Sequence, residues 1–131
     1  MNRCGRVLVA TGDVFEAELL AGYLNEMQCE TEVASNGPET LARIASLQPD
    51  LLILDGALPQ ISGFDICRAL KSQQETEKTM VLMVSALNEA GDIEQAVAVG
   101  TDDFLSMPVN KVELVKRVEN MLKIRRIRDQ E

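Results

Sequence analysis

No histidine and no tryptophan occur among the 131 residues, and there are only one tyrosine, three phenylalanines and three cysteines. Without histidine or closely paired cysteines, the ligand set that zinc prefers is missing, and no zinc site is expected. Cys4, Cys29 and Cys67 are odd in number and widely spaced, a pattern of free thiols rather than of a disulfide framework. No apolar run approaches the ~20 residues of a membrane-spanning helix. The opening stretch MNRCGR lacks the apolar core of a signal peptide. The expected location is the cytoplasm, with no membrane partner.

What is present suits one ordinary globular domain. Hydrophobic residues make up 46% and charged residues 26% of the chain, and the length supports one core but not two. The net charge of −8 is unevenly distributed: residues 111–131 hold seven Lys/Arg against four acids, so the first 110 residues carry −11. An acidic body does not suit a phosphate backbone, and direct nucleic-acid binding is not expected. The basic end reads as a solvated helix terminus whose cations complement the helix dipole.

Apolar runs and amphipathic stretches alternate five times. Strands are expected at 6–10, 30–34, 51–54, 80–84 and 103–105, and helices at 14–27, 40–47 (opened by Asn36-Gly37-Pro38), 63–72, 92–99 and 111–126. Phe15, Leu19, Leu20, Tyr23, Leu24 and Met27 form the expected inner side of the first helix. In the third helix that role falls to Phe64, Ile66, Cys67 and Leu70, and in the last to Val112, Val115, Val118 and Leu122. Leu51–Leu54 is apolar without alternation, as in a strand covered on both faces. Strict strand–helix alternation implies an α/β fold, a flavodoxin-like (βα)5 unit with a five-stranded parallel sheet in the order 2-1-3-4-5. Residues 1–123 form the domain. Residues 124–131 are a helical tail that either closes a single-domain protein or leads to a further domain.

In open sheets of this kind ligands gather beyond the carboxyl ends of the strands. Thr11, Gly12 and Asp13 fall there after the first strand, Asp55 after the third, Ser85 after the fourth, and Met107-Pro108 after the fifth. Asp13 suits the N-cap of the following helix.

The stretch LLILDGALPQISGFDICRAL, with Pro59 four and Gly63 eight residues after Asp55, resembles the receiver domain of two-component response regulators. VSALNEAGD and GTDDFLSMPVNKVELVKRVENML extend the resemblance, which runs from about Arg6 to Leu122. It implies phosphorelay signalling. Asp55 would be the phosphoacceptor, Ser85 and Phe104 the switch pair, and a histidine kinase, phosphotransfer protein, second receiver or effector domain the partner. The family places an acidic pair after the first strand, which with the acceptor and a backbone carbonyl two residues beyond it (here Ala57) holds Mg2+. It also places a lysine before the fifth-strand proline. The two are typically joined by a cis bond, which X–Pro permits at small cost, so the resemblance implies a cis Met107-Pro108 bond.

This chain departs from that pattern. Thr11 and Gly12 stand at the acidic pair, Asp13 follows one place late, and Met107 stands at the lysine. Asp13, Asp55 and Ala57 would hold Mg2+ weakly at best, so no cofactor is expected. Two readings stay open: a receiver with a degenerate phosphoryl pocket, or a phosphorylation-independent interaction module that pairs through the 92–122 face, as a homodimer for example. An enzyme is not expected. LDGALP is superficially similar to the aspartate-nucleophile phosphatase motif, but Ile53 and Ala57 occupy the positions of its second aspartate. TGDVFE lacks the glycine pattern of a dinucleotide site.

Overall fold

The computed structural model describes residues 4–86 and 91–130. The elements run β1 (Arg6–Ala10), α1 (Val14–Glu26), β2 (Glu30–Ala34), α2 (Gly37–Leu47), β3 (Leu51–Asp55), α3 (Gly63–Lys71), β4 (Met80–Ser85), α4 (Asp92–Ala98), β5 (Asp103–Ser106) and α5 (Lys111–Asp129). All neighbouring strands are parallel, and the sheet order is β2-β1-β3-β4-β5. The flavodoxin-like expectation holds, element by element.

Two apolar clusters sandwich the sheet. Val7, Val9, Leu51, Ile53, Leu82 and Val84 face one cluster, closed by Leu20 and Leu24 of α1 and by Leu114 and Val118 of α5. Leu8, Leu52, Leu54, Val81 and Met83 face the other, closed by Ile44, Ile66, Cys67, Leu70 and Val99. The four apolar residues of β3 are buried whichever way they point. A strand covered on both sides needs no polar face, hence the unbroken LLIL.

The inner faces of two helices differ from expectation. Phe15 is 84% and Leu19 47% exposed, while Glu16, Ala17, Leu20 and Leu24 point inward. The apolar stripe of α1 is wider than the face that the sheet can cover, and capping chooses between its halves. Asp13 accepts the Glu16 N–H at 3.1 Å, which fixes the phase of the first turn and swings Glu16 under the helix. In α5, Val112 is 77% exposed, and the buried stripe is Leu114, Val118, Met121 and Leu122. Lys111, Val112 and Glu113 are all exposed, and the helix first meets the core at Leu114.

The cysteines require a correction too. Cys4 and Cys29 are joined in a disulfide, and of the three only Cys67 is a free, buried thiol. The parallel pairing of β1 with β2 brings the two together. Cys4 lies just before β1 and Cys29 just before β2, where the Glu30 N–H reaches the Gly5 carbonyl. Burial pushes the Cys67 thiol upward in pKa, which keeps it protonated and unreactive. Among the described residues no helix is long and apolar enough to cross a membrane.

Candidate functional site at the carboxyl edge of the sheet

Asp55 is the last residue of the central strand, paired in register with Val84 of β4. Both of its carboxylate oxygens are engaged. Thr11 Oγ1 donates to Oδ2 at 3.2 Å, and the Ala57 N–H donates to Oδ1 at 2.9 Å. Thr11 is itself buried, and its hydroxyl oxygen accepts the Asp13 N–H at 3.1 Å. One threonine thus ties the exit of β1 to the end of β3.

The loop beyond Asp55 is held close by two glycines. The Gly63 N–H bonds the Gly56 carbonyl at 3.1 Å, and a Cβ on Gly63 would fall on the Asp55 carbonyl. The α3 N-terminus, capped by Ser62, can therefore approach the acceptor turn only with glycine at this position. A Cβ on Gly12 would stand 3.0 Å from the Pro59 ring, so the β1–α1 and β3–α3 loops also meet with little room to spare.

The acidic residues around Asp55 are disposed unevenly. Asp13 is the N-cap of α1, as expected, with its Oδ1 spent on the helix backbone. Glu16, which sequence reasoning missed, is the third carboxylate of the site. It is 8% exposed, and its pKa is pushed up to about 7 by burial, then by the charges of Asp55 and Asp13, with the Thr11 hydroxyl opposing. Burial and like charge both disfavour its ionised form. A glutamate among the apolar positions of α1 was the available signal, obscured by the assumption that Phe15 and Leu19 faced inward.

On the far side, Ser85 ends β4 opposite Ser106, and the Met107 N–H donates to the Ser85 carbonyl at 2.9 Å. Met107 is partly exposed and precedes a cis peptide bond to Pro108. Phe104 is partly buried, packed against the cluster beneath α2, α3 and α4. Residues 87–90 of the VSALNEAGD segment lie outside the described residues. Lys111 does not turn back toward Asp55; it pairs with Glu26 at 2.6 Å and lies 5.5 Å from the centre of the Tyr23 ring. The ion pairs among the described residues do not include Asp55. Among those residues, no group of three or more Asp, Glu, Cys or His side chains is placed to hold a metal ion.

Comparison with known proteins assigns the edge a context. The family model for the response regulator receiver domain matches residues 7–119. The response regulator PleD of Caulobacter vibrioides is 33% identical over 125 residues, covering 95% of this chain and 28% of that protein. The phosphate regulon transcriptional regulatory protein PhoB of Rhizobium meliloti is 37% identical over 94 residues, covering 72% of this chain and 41% of that protein. The chain therefore spans less than half the length of either relative. Among solved structures, a putative response regulator from Chloroflexus aurantiacus superposes with a TM-score of 0.86 at 31% identity, covering 91% of this chain and 98% of that one. The receiver domain of a signal transduction histidine kinase from Syntrophus aciditrophicus gives 0.86 at 30% identity, covering 91% and 90%.

Proposed function

The chain belongs to the response regulator receiver domain family, and from that membership we propose that it acts in phosphorelay signalling as an atypical receiver. Asp55 holds the phosphoacceptor position in a pocket that does not support efficient Mg2+-dependent transfer. The observation that carries this reading is the state of the Asp55 carboxylate. Its oxygens are occupied by Thr11 and Ala57, and Thr11 stands where the family has an acid.

The available donors do not fit Mg2+. This ion takes near-octahedral oxygen ligands and gives up water reluctantly. Here the pocket offers a threonine hydroxyl already donating to Asp55, an Asp13 carboxylate capping a helix, and a Glu16 that burial holds toward its neutral form. Transfer to a carboxylate brings negative charge toward negative charge, so its rate depends on electrostatic neutralisation at the phosphoryl oxygens. Met107 supplies no positive charge where the family has lysine. Asp55 is thus a correctly placed nucleophile with weak electrostatic support.

Partners would be those that recognise a receiver surface in the cytoplasm: a histidine kinase, a phosphotransfer protein, another receiver or an effector domain. A second reading, constitutive pairing independent of phosphorylation, is favoured by one observation. On α4, Ile93 and Val97 are exposed, while Asp103 of β5 is already paired within the chain to Arg117 of α5. Apolar side chains are left to meet a partner there, and the pocket is not needed to expose them.

Intact mass after incubation with Mg2+ and a small-molecule phosphodonor tests the first reading, with Asp55→Asn as the control. The expected result is a minor adduct of one phosphoryl group, absent from the variant. Rapid, near-complete modification would overturn the degenerate-pocket reading, and modification of Asp55→Asn would remove Asp55 from the acceptor role.

A further inference from the structure

The Cys4–Cys29 disulfide spans 25 residues and closes the first strand–helix unit on itself, from just before β1 to just before β2. Disulfides commonly staple small secreted domains that cannot build a sufficient core. This chain has no such need. At 131 residues it is well above the size at which a single core suffices. Its first strand also lies inside the sheet, between β2 and β3, with an apolar cluster on either face. The fold closes without the bridge.

The two cysteines are held in different ways. Cys29 is buried in the core cluster with Leu24, Met121 and Leu122. Its N–H donates to the Leu24 carbonyl at 3.1 Å, and Gln28 before it takes a left-handed conformation (φ 64°) that turns the chain from α1 into β2. Both anchors are backbone and hold with or without the bridge. Cys4 is partly exposed, and its N–H reaches the Gln28 carbonyl only at 3.4 Å, beyond the usual hydrogen-bond range. Gly5, next in the chain, passes between Asp50 and Leu122 of α5. A Cβ on it would stand 3.2 Å from an Asp50 carboxylate oxygen and 3.3 Å from a Leu122 methyl group. The Cα atoms of the cysteine pair are 4.4 Å apart, a separation that native disulfides span, so the reduced thiols remain neighbours.

We propose that Cys4 and Cys29 form a reversible redox site that exchanges with low-molecular-weight disulfides, Cys4 attacking and Cys29 resolving, and that oxidation clamps the start of β1 under α5. The Cys4 thiolate attacks one sulfur of the small disulfide and expels a thiolate, leaving a mixed disulfide on Cys4. The Cys29 thiolate then attacks the Cys4 sulfur and expels the second small thiolate. The protein thiols have lost two electrons and two protons, and the small disulfide has gained both as two thiols. An excess of the small thiol drives the same steps backward. Exposed disulfides are the labile ones, and the partly exposed Cys4 sulfur is the point of entry. Because Gly5 lies against Leu122, closing the bridge fastens the beginning of the strand to the helix that carries the basic end of the chain. The site lies at the amino ends of the strands, away from Asp55, and does not depend on phosphoryl acceptance there.

The test equilibrates the full chain in glutathione buffers graded from a cytosolic to an endoplasmic-reticulum poise, starting from reduced and from oxidised protein. Each sample is quenched in acid, alkylated with N-ethylmaleimide in denaturant and weighed intact. Wild type should carry three labels at the reducing end and one, on Cys67, at the oxidising end, along the same curve from either direction. Cys29→Ser, which lacks the resolving thiol, should accumulate one glutathione adduct on Cys4. Cys4→Ser should accumulate none, since Cys29 is buried. Oxidised wild type should melt roughly 10 °C above reduced wild type, a shift absent from both variants. A bridge that stays closed across the whole range would be a structural staple, and thiols that stay free across it would be no redox site; either result overturns the proposal. An adduct on Cys29 but not on Cys4 would overturn the assigned order of attack. The wild-type titration decides the redox claim by itself if a variant folds poorly.

Discussion

Replacing Glu16 by glutamine will remove a pH-dependent loss of stability. In the folded chain the Glu16 carboxyl titrates at about 7, against 4.5 for a solvated glutamate. Between those values the folded protein keeps a proton that the unfolded chain has released. The folded state binds more protons there, so stability falls as pH rises from about 4.5 to 7, and the penalty is complete above 7. A displacement of this size corresponds to about 3 kcal/mol at most. Glutamine has nearly the same shape and no proton to lose. The variant should match the wild type near pH 4.5 and be more stable by up to about 3 kcal/mol at pH 8. With no tryptophan in the chain, urea denaturation followed by far-ultraviolet circular dichroism at several pH values is the suitable measurement. Equal pH slopes for the two proteins would mean that Glu16 is not held toward its neutral form in the pocket.

The second large effect concerns repair of the pocket. Thr11→Asp with Met107→Lys restores one metal-facing acid and the missing cation, and the pair should accelerate phosphoryl acceptance at Asp55 by on the order of tenfold to a hundredfold. The gain should require Mg2+. Without the metal, a new carboxylate at buried position 11 crowds Asp55 and Glu16 with like charge, so Thr11→Asp alone should be less stable in a chelator and recover when Mg2+ is added. Adding Gly12→Asp, which would complete the acidic pair, meets the Pro59 ring at 3.0 Å. The triple variant should lose about 1–2 kcal/mol relative to the double unless the loop shifts. A double variant that takes up Mg2+ but accepts phosphoryl groups no faster than wild type would show that missing charge is not what limits Asp55.

These two predictions rest on residues that the sequence revealed to different degrees. The third strand was legible because Leu51–Leu54 is uninterrupted, and its end placed Asp55 on the functional edge. Asp13 was legible as a cap because its chemistry is local, and the cis Met107-Pro108 bond only through the family resemblance, since X–Pro permits cis without requiring it. The phase of α1 was not. Phe15, Leu19, Leu20 and Leu24 are all apolar, and only the three-dimensional path from Thr11 to Asp13 decides which of them turns inward. Glu16 became invisible with that error, since its role depends on the same rotation. The Cys4–Cys29 disulfide was hidden for a similar reason: 25 residues separate the partners, and only the parallel pairing of β1 with β2 makes them neighbours.

What most directly tests the account is the Mg2+ affinity of the unmodified chain, measured by calorimetric titration with Asp55→Asn as reference. The donors around Asp55 are committed to Thr11, Ala57 and the α1 backbone. The account therefore predicts no saturable binding at free Mg2+ of about 1 mM, a standard binding free energy weaker than about −4 kcal/mol. Saturation well below that concentration, abolished in Asp55→Asn, would contradict it and return the pocket to the fully active kind.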